Sequence, residues 1–146
     1  MYPAIFNSGQ AGNMIYGGSR YQHEFLDLAR TVERAVDQLD KIQDRFESIA
    51  VTGVSGLVVG SPVALLMGKA LIVVRKEDDI STHSGNRVEN IREIGTHYLF
   101  LDDFIASGTT EHYVCSVLYH QCKRWDLPPA IHIATYQYQY GDIVFR

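Results

Sequence analysis

Cysteine is scarce in this sequence, and its spacing excludes two kinds of site. The only two cysteines among 146 residues, Cys115 and Cys122, lie seven positions apart in a segment with helical character. On a helix this spacing separates them by about 10 Å, whereas a disulfide needs Cα atoms within about 7 Å of each other. We therefore predict two free thiols, which is typical of the cytoplasm. The absence of a CxxC pair argues against a thiolate metal site.

Long apolar runs and an excess of basic residues are also missing. No run reaches the ~18 apolar residues that a membrane-spanning helix needs, and the first residues lack the basic region of a signal peptide. A net charge of −4 argues against nucleic acid as a partner. The P-loop pattern G-x-x-x-x-G-K-[ST] does not occur. The composition, 46% hydrophobic and 21% charged, predicts one soluble globular domain over residues 1–146.

The first half of the chain contains a pattern of alternating strands and helices. A helical periodicity from Tyr21 to Phe46 precedes it, and a strand–turn–helix–strand succession at this spacing implies parallel strands. The predicted elements after the first helix are a strand over 49–52, a turn over 53–56, a helix over 57–67 and a strand over 70–74. The last strand ends at Arg75-Lys76. These elements predict an α/β domain.

The stretch from Tyr98 to Thr110 carries the most specific chemistry. Its four apolar residues 98–101 predict a strand buried on both faces, and the acids Asp102 and Asp103 follow at the strand end. A small, hydroxyl-rich turn comes next and leads into a predicted helix over 109–125. N–H groups at a helix start bind anions, and paired acids accept from sugar hydroxyls or hold the water shell of Mg²⁺. We therefore predict a phosphate–sugar site.

This stretch resembles the motif with which type I phosphoribosyltransferases bind phosphoribosyl pyrophosphate (PRPP). The shared order is a hydrophobic strand, two acids, two apolar residues and a small turn ending in Thr. Ser55-Gly56-x-x-x-Gly60, together with the Arg75-Lys76 strand end, is similar to the adenine phosphoribosyltransferase pattern. The resemblance implies an open, mainly parallel twisted sheet flanked by helices. It also implies a small or reduced hood over the base, to which the glycine-rich residues 1–20 contribute as an irregular arm.

The resemblance implies an activity and assigns residues to it. The reaction is Mg²⁺-dependent transfer of phosphoribose from PRPP to a nucleobase nitrogen, with release of pyrophosphate. Asp102 and Asp103 are the catalytic acids, which face the ribose and hold Mg²⁺ through water. The residues that match the 5′-phosphate turn are Ala106, Ser107, Gly108, Thr109 and Thr110. The residues that match the pyrophosphate contacts are Val54, Ser55, Gly56, Arg75 and Lys76.

Two departures from the family pattern bear on function. Ser55 stands where many members carry a basic residue, which keeps open an alternative: a regulatory PRPP sensor without transferase turnover. Ala106 stands where hypoxanthine-guanine enzymes place an acid, which favours an adenine- or orotate-like branch. A role in purine nucleotide salvage and a homodimer are compatible with the resemblance, but the sequence decides neither.

Two further segments suggest roles that the sequence leaves open. Residues 77–97 are polar and longer than a routine connection, and they match the mobile loop of the family; His83 within them is expected to be solvated rather than catalytic. Tyr136, Tyr138 and Tyr140 alternate, which predicts one shared face of a strand. Packing on an edge strand is favoured for them over stacking on a nucleobase. His132 interrupts an apolar strand over 130–135 and is expected to be a hydrogen-bonded core residue.

Overall fold

The computed structural model describes residues 27–78, 86–90 and 95–145. The arm at 1–20, His83 and most of the 77–97 segment lie outside these residues. The helices are α1 Leu28–Leu39, a 3₁₀ helix Asp40–Arg45, α2 Gly53–Met67 and α3 Thr109–Arg124. The strands are β1 Ser48–Thr52, β2 Ala70–Val74, β3 Val88–Glu89, β4 His97–Asp102, β5 Ile131–Gln137 and β6 Asp142–Phe145. None of the described helices is long and apolar enough to cross a membrane.

The strands form one sheet in the order β3-β2-β1-β4-β5-β6. The four central strands are parallel, and the two edge strands are antiparallel to their neighbours. The predicted mainly parallel α/β fold is therefore confirmed. The sequence pattern did not reveal the edge strands, because β3 has two residues and β6 four.

Alternating side chains of the central strands divide the core into two layers. Ile49 and Val51 of β1, with Leu99 and Leu101 of β4, pack in the cluster that contains the buried residues of α1 and α2. Their sequence neighbours Ala50, Tyr98 and Phe100 pack in the cluster with α3. Strands buried on both faces read as continuous apolar runs, which is why both were visible in the sequence.

The connections place a crevice in the middle of the sheet. From β1 the chain passes through α2 to β2 on one side, and from β4 it passes through α3 to β5 on the other. The carboxyl ends of β1 and β4 are therefore adjacent while their following helices lie on opposite faces. Ligands of open α/β sheets bind at such a point, where the strand order reverses.

Two predictions of helix boundaries differ from the structure. The predicted helix over 21–46 ends as α-helix at Leu39 and continues as a 3₁₀ helix, in which Ile42 has a non-helical φ of −128°. The predicted turn 53–56 is instead the first turn of α2, because Gly53 at φ +68° lets the chain pass directly from strand to helix.

The three tyrosines do not share one strand face. The strand β5 ends at Gln137, and residues 138–140 form a turn. Tyr136 and Tyr138 are fully buried, whereas Tyr140 is 63% exposed. The strand is also internal, because β6 pairs with it. The alternation was misleading because backbone bonds from Tyr140 N and Gly141 N to the Gln137 carbonyl turn the chain back, so the extended conformation does not reach Tyr140.

Other predictions about single residues agree with the structure. Both cysteines are free. His132 is half-buried, and its Nε2 lies 3.0 Å from Thr135 Oγ1, so it is hydrogen-bonded in the core as expected.

Glycines in α2 let the helix lie against the two strands that form the crevice. A Cβ added to Gly56 would lie 3.2 Å from the Leu101 carbonyl oxygen and from Val51 Cβ. A Cβ added to Gly60 would overlap Val51 Cγ1, and Val51 is fully buried. The N-terminus of α2 is therefore held close to the end of β4.

We expect Gly60→Ala to destabilise the protein. The steric cost of overpacking, about 1–3 kcal/mol, exceeds the gain in helix propensity of about 1 kcal/mol. Denaturant unfolding should show a lower midpoint with an unchanged slope. Ser61→Ala, at the exposed neighbouring position, is the control and should leave the midpoint nearly unchanged. Equal stability of the Gly60→Ala variant and the wild type would contradict the close packing of α2.

Candidate functional site

A cavity of about 200 Å³ opens at the carboxyl ends of β1 and β4. It brings together the two regions that the sequence singled out separately. Its lining residues are Thr52, Ser55, Lys76, Phe100, Asp102, Asp103, Phe104, Ile105, Ala106, Ser107, Gly108, Thr109, Thr110 and Glu111. Both predicted acids and the whole predicted phosphate turn line it, together with two of the five residues predicted to contact pyrophosphate.

The two acids line this cavity, and both are buried. Asp102 Oδ1 accepts a hydrogen bond from the Asp103 backbone N–H at 2.9 Å and another from Ser55 Oγ at 3.3 Å. Asp103 Oδ2 is buried and has no hydrogen-bond partner among the described residues. Because buried polar atoms are almost always paired, this oxygen is suited to a donor or cation that a ligand supplies.

Burial makes Asp102 an unusually weak acid. Desolvation raises the pKa of its carboxyl from 3.8 to about 7, and Asp103 beside it adds to the rise through its side-chain hydrogen bond and its charge. The hydrogen bonds from the Asp103 backbone and from Ser55 act in the opposite direction. Near neutral pH the Asp102 side chain is therefore poised between its two protonation states, and a positively charged ligand favours the carboxylate.

The predicted phosphate turn runs directly into the N-terminus of α3. Gly108 adopts φ +81°, a conformation that favours glycine, and its carbonyl accepts the first helical bond from His112 N–H. The hydroxyls of Ser107 and Thr109 are 2.8 Å apart, and both side chains are exposed. The N–H groups of the first helical turn have no partner within the helix and bind anions in many proteins.

Only some of the residues predicted to contact pyrophosphate line the cavity. Ser55 and Lys76 line the cavity, whereas Val54, Gly56 and Arg75 do not. Lys76 lies over the start of α2: its Nζ is so near Gly53 that a Cβ added to this glycine would lie 3.3 Å from it. Arg75 instead forms an ion pair with Glu89, with 3.3 Å between Nε and Oε1. Lys76 is therefore the basic side chain at this end of the cavity.

Two residues at the end of β5 contact the loops of the site in ways that the sequence did not predict. Gln137 Oε1 accepts from the Ile105 N–H at 2.7 Å, which anchors the loop between β4 and α3. Tyr138 O–H donates to the Ser55 carbonyl at 3.0 Å, which contacts the first turn of α2. The available signal was a glutamine and a tyrosine directly after a buried apolar strand, where side chains point toward the same edge as the acids.

Glu111 is a further cavity residue that the sequence did not indicate. It lies in the first turn of α3, and its Oε2 accepts from Thr135 Oγ1 at 2.5 Å. This bond ties the start of α3 to β5. A carboxylate in the first turn also stabilises the helix dipole.

Solved structures share this architecture. The orotate phosphoribosyltransferase of Aeropyrum pernix matches this chain with a TM-score of 0.56 at 17% identity. The match covers 75% of this chain and 56% of that enzyme. The orotate phosphoribosyltransferase of Francisella tularensis matches with a TM-score of 0.50 at 13% identity, over 86% of this chain and 55% of that enzyme. The adenine phosphoribosyltransferase of Thermoanaerobacter pseudethanolicus gives 0.49 at 17% identity over 77% of this chain and 73% of its own.

The matches to the two orotate phosphoribosyltransferases confirm the fold predicted from the sequence, that of type I phosphoribosyltransferases. This chain spans little more than half the length of the two orotate enzymes. No protein-family model matches the sequence. No curated protein matches it either.

The raised pKa of Asp102 predicts how stability changes with pH. Between about pH 4 and 7 the folded protein holds a proton that the unfolded chain has released, so unfolding free energy should fall as the pH rises. Asp102→Asn cannot ionise. In the absence of ligands and divalent cations, its stability relative to wild type should grow from near zero at pH 4 to about 1–4 kcal/mol at pH 8.

The matched control is Asp126→Asn, at an exposed position two residues beyond the end of α3. Because its side chain is exposed, its difference from wild type should change much less between pH 4 and pH 8 than that of Asp102→Asn. If urea unfolding shows the same offset for Asp102→Asn at both pH values, Asp102 is not the weak acid described above.

Proposed function

We propose that this protein transfers phosphoribose from PRPP to a nucleobase nitrogen, with release of pyrophosphate and with Mg²⁺ as cofactor. The observation that carries the proposal is the cavity itself. It joins a helix N-terminus with a hydroxyl-rich turn, a buried acid pair, and a second helix N-terminus with a lysine. A ribose with phosphate at one end and pyrophosphate at the other requires this sequence of groups.

The space available supports a ligand of this shape. A second hollow of about 300 Å³ adjoins the cavity and shares Thr52, Lys76, Thr109 and Thr110 with it. It extends over Tyr113, whose hydroxyl donates to the Arg75 carbonyl at 2.9 Å. Small-molecule sites commonly measure about 300–1,000 Å³, so the two hollows together have room for a phosphorylated sugar and its leaving group.

Each group in the cavity has a role in this proposal. The turn 106–110 and the start of α3 bind the 5′-phosphate through N–H groups and hydroxyls. Asp102 and Asp103 accept from the ribose hydroxyls. The first turn of α2, which contains Val54, Ser55 and Gly56, binds pyrophosphate through its N–H groups. Lys76 supplies the positive charge there, and Arg75 supports the strand end through its pair with Glu89.

The acid pair fits Mg²⁺, although the magnesium requirement rests on the resemblance. Mg²⁺ prefers carboxylate oxygens, keeps several waters and binds substrate phosphates. The unpaired buried oxygen of Asp103 and the Oδ atoms of Asp102 are donors of that kind. When bound, the ion would neutralise charge on the pyrophosphate that leaves.

The chain's own residues contribute mainly electrostatics and positioning to the reaction. As the bond between the ribose carbon and pyrophosphate breaks, positive charge develops on the sugar. The buried carboxylates beside it stabilise that charge. Lys76 and the α2 N-terminus hold the negative charge that accumulates on the departing group. The base nitrogen then forms the new bond to the same carbon, and the proton that this nitrogen carried passes to water.

The lining of the cavity indicates the general character of the base that the protein would accept. Phe104 and Ile105 line the cavity directly after the acids and offer apolar surface to a flat ring. The small Ala106 beside them is exposed and has no carboxylate to offer a purine. A purine substrate and a place in nucleotide salvage follow from the sequence resemblance, a cytoplasmic location follows from the two free thiols, and all three stay predictions.

A PRPP sensor without turnover is the second candidate, and Ser55 favours it. Its hydroxyl donates to Asp102 at 3.3 Å, so this side chain is engaged with the acid pair and adds no charge for pyrophosphate. Binding would then be retained while stabilisation of the leaving group is weaker.

Turnover assays distinguish the two candidates. We expect pyrophosphate release when the protein is incubated with PRPP, Mg²⁺ and one member of a panel that includes adenine, hypoxanthine, guanine and orotate. Binding of PRPP by calorimetry without release for any base would support the sensor. Absence of PRPP binding would contradict both.

Asp103→Asn tests the acid pair. It removes the charge that faces ribose and Mg²⁺ but keeps the shape of the side chain, so PRPP affinity with Mg²⁺ should fall at least tenfold, or about 1.4 kcal/mol. Calorimetry measures the change, and Asp126→Asn should bind like wild type. Unchanged affinity in Asp103→Asn would show that the acids do not face the ligand.

The homodimer also stays a prediction, and α2 offers the surface for it. The helix contains no charged residue, and Val54, Leu57, Leu65 and Leu66 are exposed on it. Exposed apolar patches mark association sites. A two-fold dimer brings the same patch of both copies together, and a face without charge meets no like-charge repulsion there. Light scattering should give twice the chain mass for wild type and the single mass for Leu65→Glu, whose position is 81% exposed. A monomeric wild type would refute the dimer.

A further inference from the structure

We infer that Tyr138 is a positioning residue that fixes the pyrophosphate-binding turn of α2 relative to the acid pair. The inference rests on the proposed function, because it concerns the half of the site that would bind pyrophosphate. Tyr138 does not line the cavity. It acts through Ser55, which does.

Tyr138 connects three elements that are far apart in the chain. Its O–H donates to the Ser55 carbonyl at 3.0 Å, across 83 positions of sequence. Its backbone N–H donates to the Asp102 carbonyl at 3.0 Å. Its own carbonyl accepts from Arg34 Nη2 on α1. The ring between these bonds is fully buried, so its position is determined by packing as well.

These bonds hold Ser55 from two sides. Its hydroxyl donates to the Asp102 carboxylate, and its carbonyl accepts from Tyr138. Both partners belong to the β4 and β5 side of the crevice, whereas Ser55 belongs to the β1 side. The pair of contacts therefore bridges the crevice and fixes the distance from the α2 N-terminus to the acids.

Such a bridge matters for a ligand with two anionic ends. The ribose sets the separation between phosphate and pyrophosphate, so both helix N-termini must lie at the matching distance before binding. A site held in its bound geometry binds more tightly because less freedom is lost. The bond from Tyr138 contacts only the pyrophosphate side. Its loss should therefore weaken that side selectively.

The test is Tyr138→Phe, which keeps the buried ring and removes only the hydroxyl. Calorimetry with Mg²⁺ measures binding of two probes, inorganic pyrophosphate and ribose 5-phosphate. We expect pyrophosphate affinity to fall about five- to tenfold while ribose 5-phosphate affinity stays within twofold of wild type. Thermal unfolding of each variant verifies the fold before binding is measured.

The matched control is Tyr98→Phe. Tyr98 is also buried, and its hydroxyl bonds to Cys115 Sγ at 3.1 Å in the layer on the other face of the sheet. The Tyr98→Phe variant should lower the melting temperature about as much as Tyr138→Phe does, without a selective loss of pyrophosphate binding. If both variants lose affinity for both probes to the same extent, Tyr138 has a structural role only, and the inference is wrong.

A second measurement uses wild-type protein and does not depend on the variant. A buried, hydrogen-bonded hydroxyl exchanges slowly with water, so the Tyr138 hydroxyl proton should be visible by NMR, with a through-space contact to Ser55. Its absence would overturn the inference. Failure of wild type to bind either probe would instead refute the proposed function, and the inference with it.

Discussion

The parallel pairing of β1 with β4 is the contact on which the remainder of the site depends. It places the strand ends at Thr52 and Asp102 side by side, although 50 positions of sequence separate them. The helices that follow begin at this edge and lie on opposite faces. Their N-termini can therefore converge on one ligand. Gly56 and Gly60 complete the arrangement, because only residues without a Cβ allow α2 to lie this close to Val51 and Leu101.

The site has a cost in stability that the rest of the fold offsets. Asp102 and Asp103 are buried beside each other, and one Asp103 oxygen has no partner among the described residues. An apolar strand end would stabilise the fold better, since burial disfavours carboxylate charge. Conflicts between local stability and local chemistry are typical of functional sites. The two apolar layers of the sheet supply the compensating burial.

Two basic residues at the end of β2 illustrate how adjacent positions acquire different roles. Arg75 faces Glu89 of the short edge strand β3, whereas Lys76 lies over the first turn of α2 and lines the cavity. Alternation along an extended chain sends neighbours in different directions. Because Ser55 carries no charge, Lys76 is the basic side chain among the residues that line the cavity.

The sequence alone determined the βαβ unit, the apolar strand that ends in two acids and the small hydroxyl-rich turn after it, because continuous apolar runs and small hydroxyl residues are local signals. It also determined that the two cysteines stay free, since their spacing on a helix forbids a bridge. Only the tertiary structure decided that Lys76 rather than Arg75 reaches the cavity, that the Tyr138 hydroxyl bonds to Ser55, and that Gln137 anchors the loop after the acids. These contacts join residues between 23 and 83 positions apart or depend on which way a side chain turns, and no local pattern encodes either.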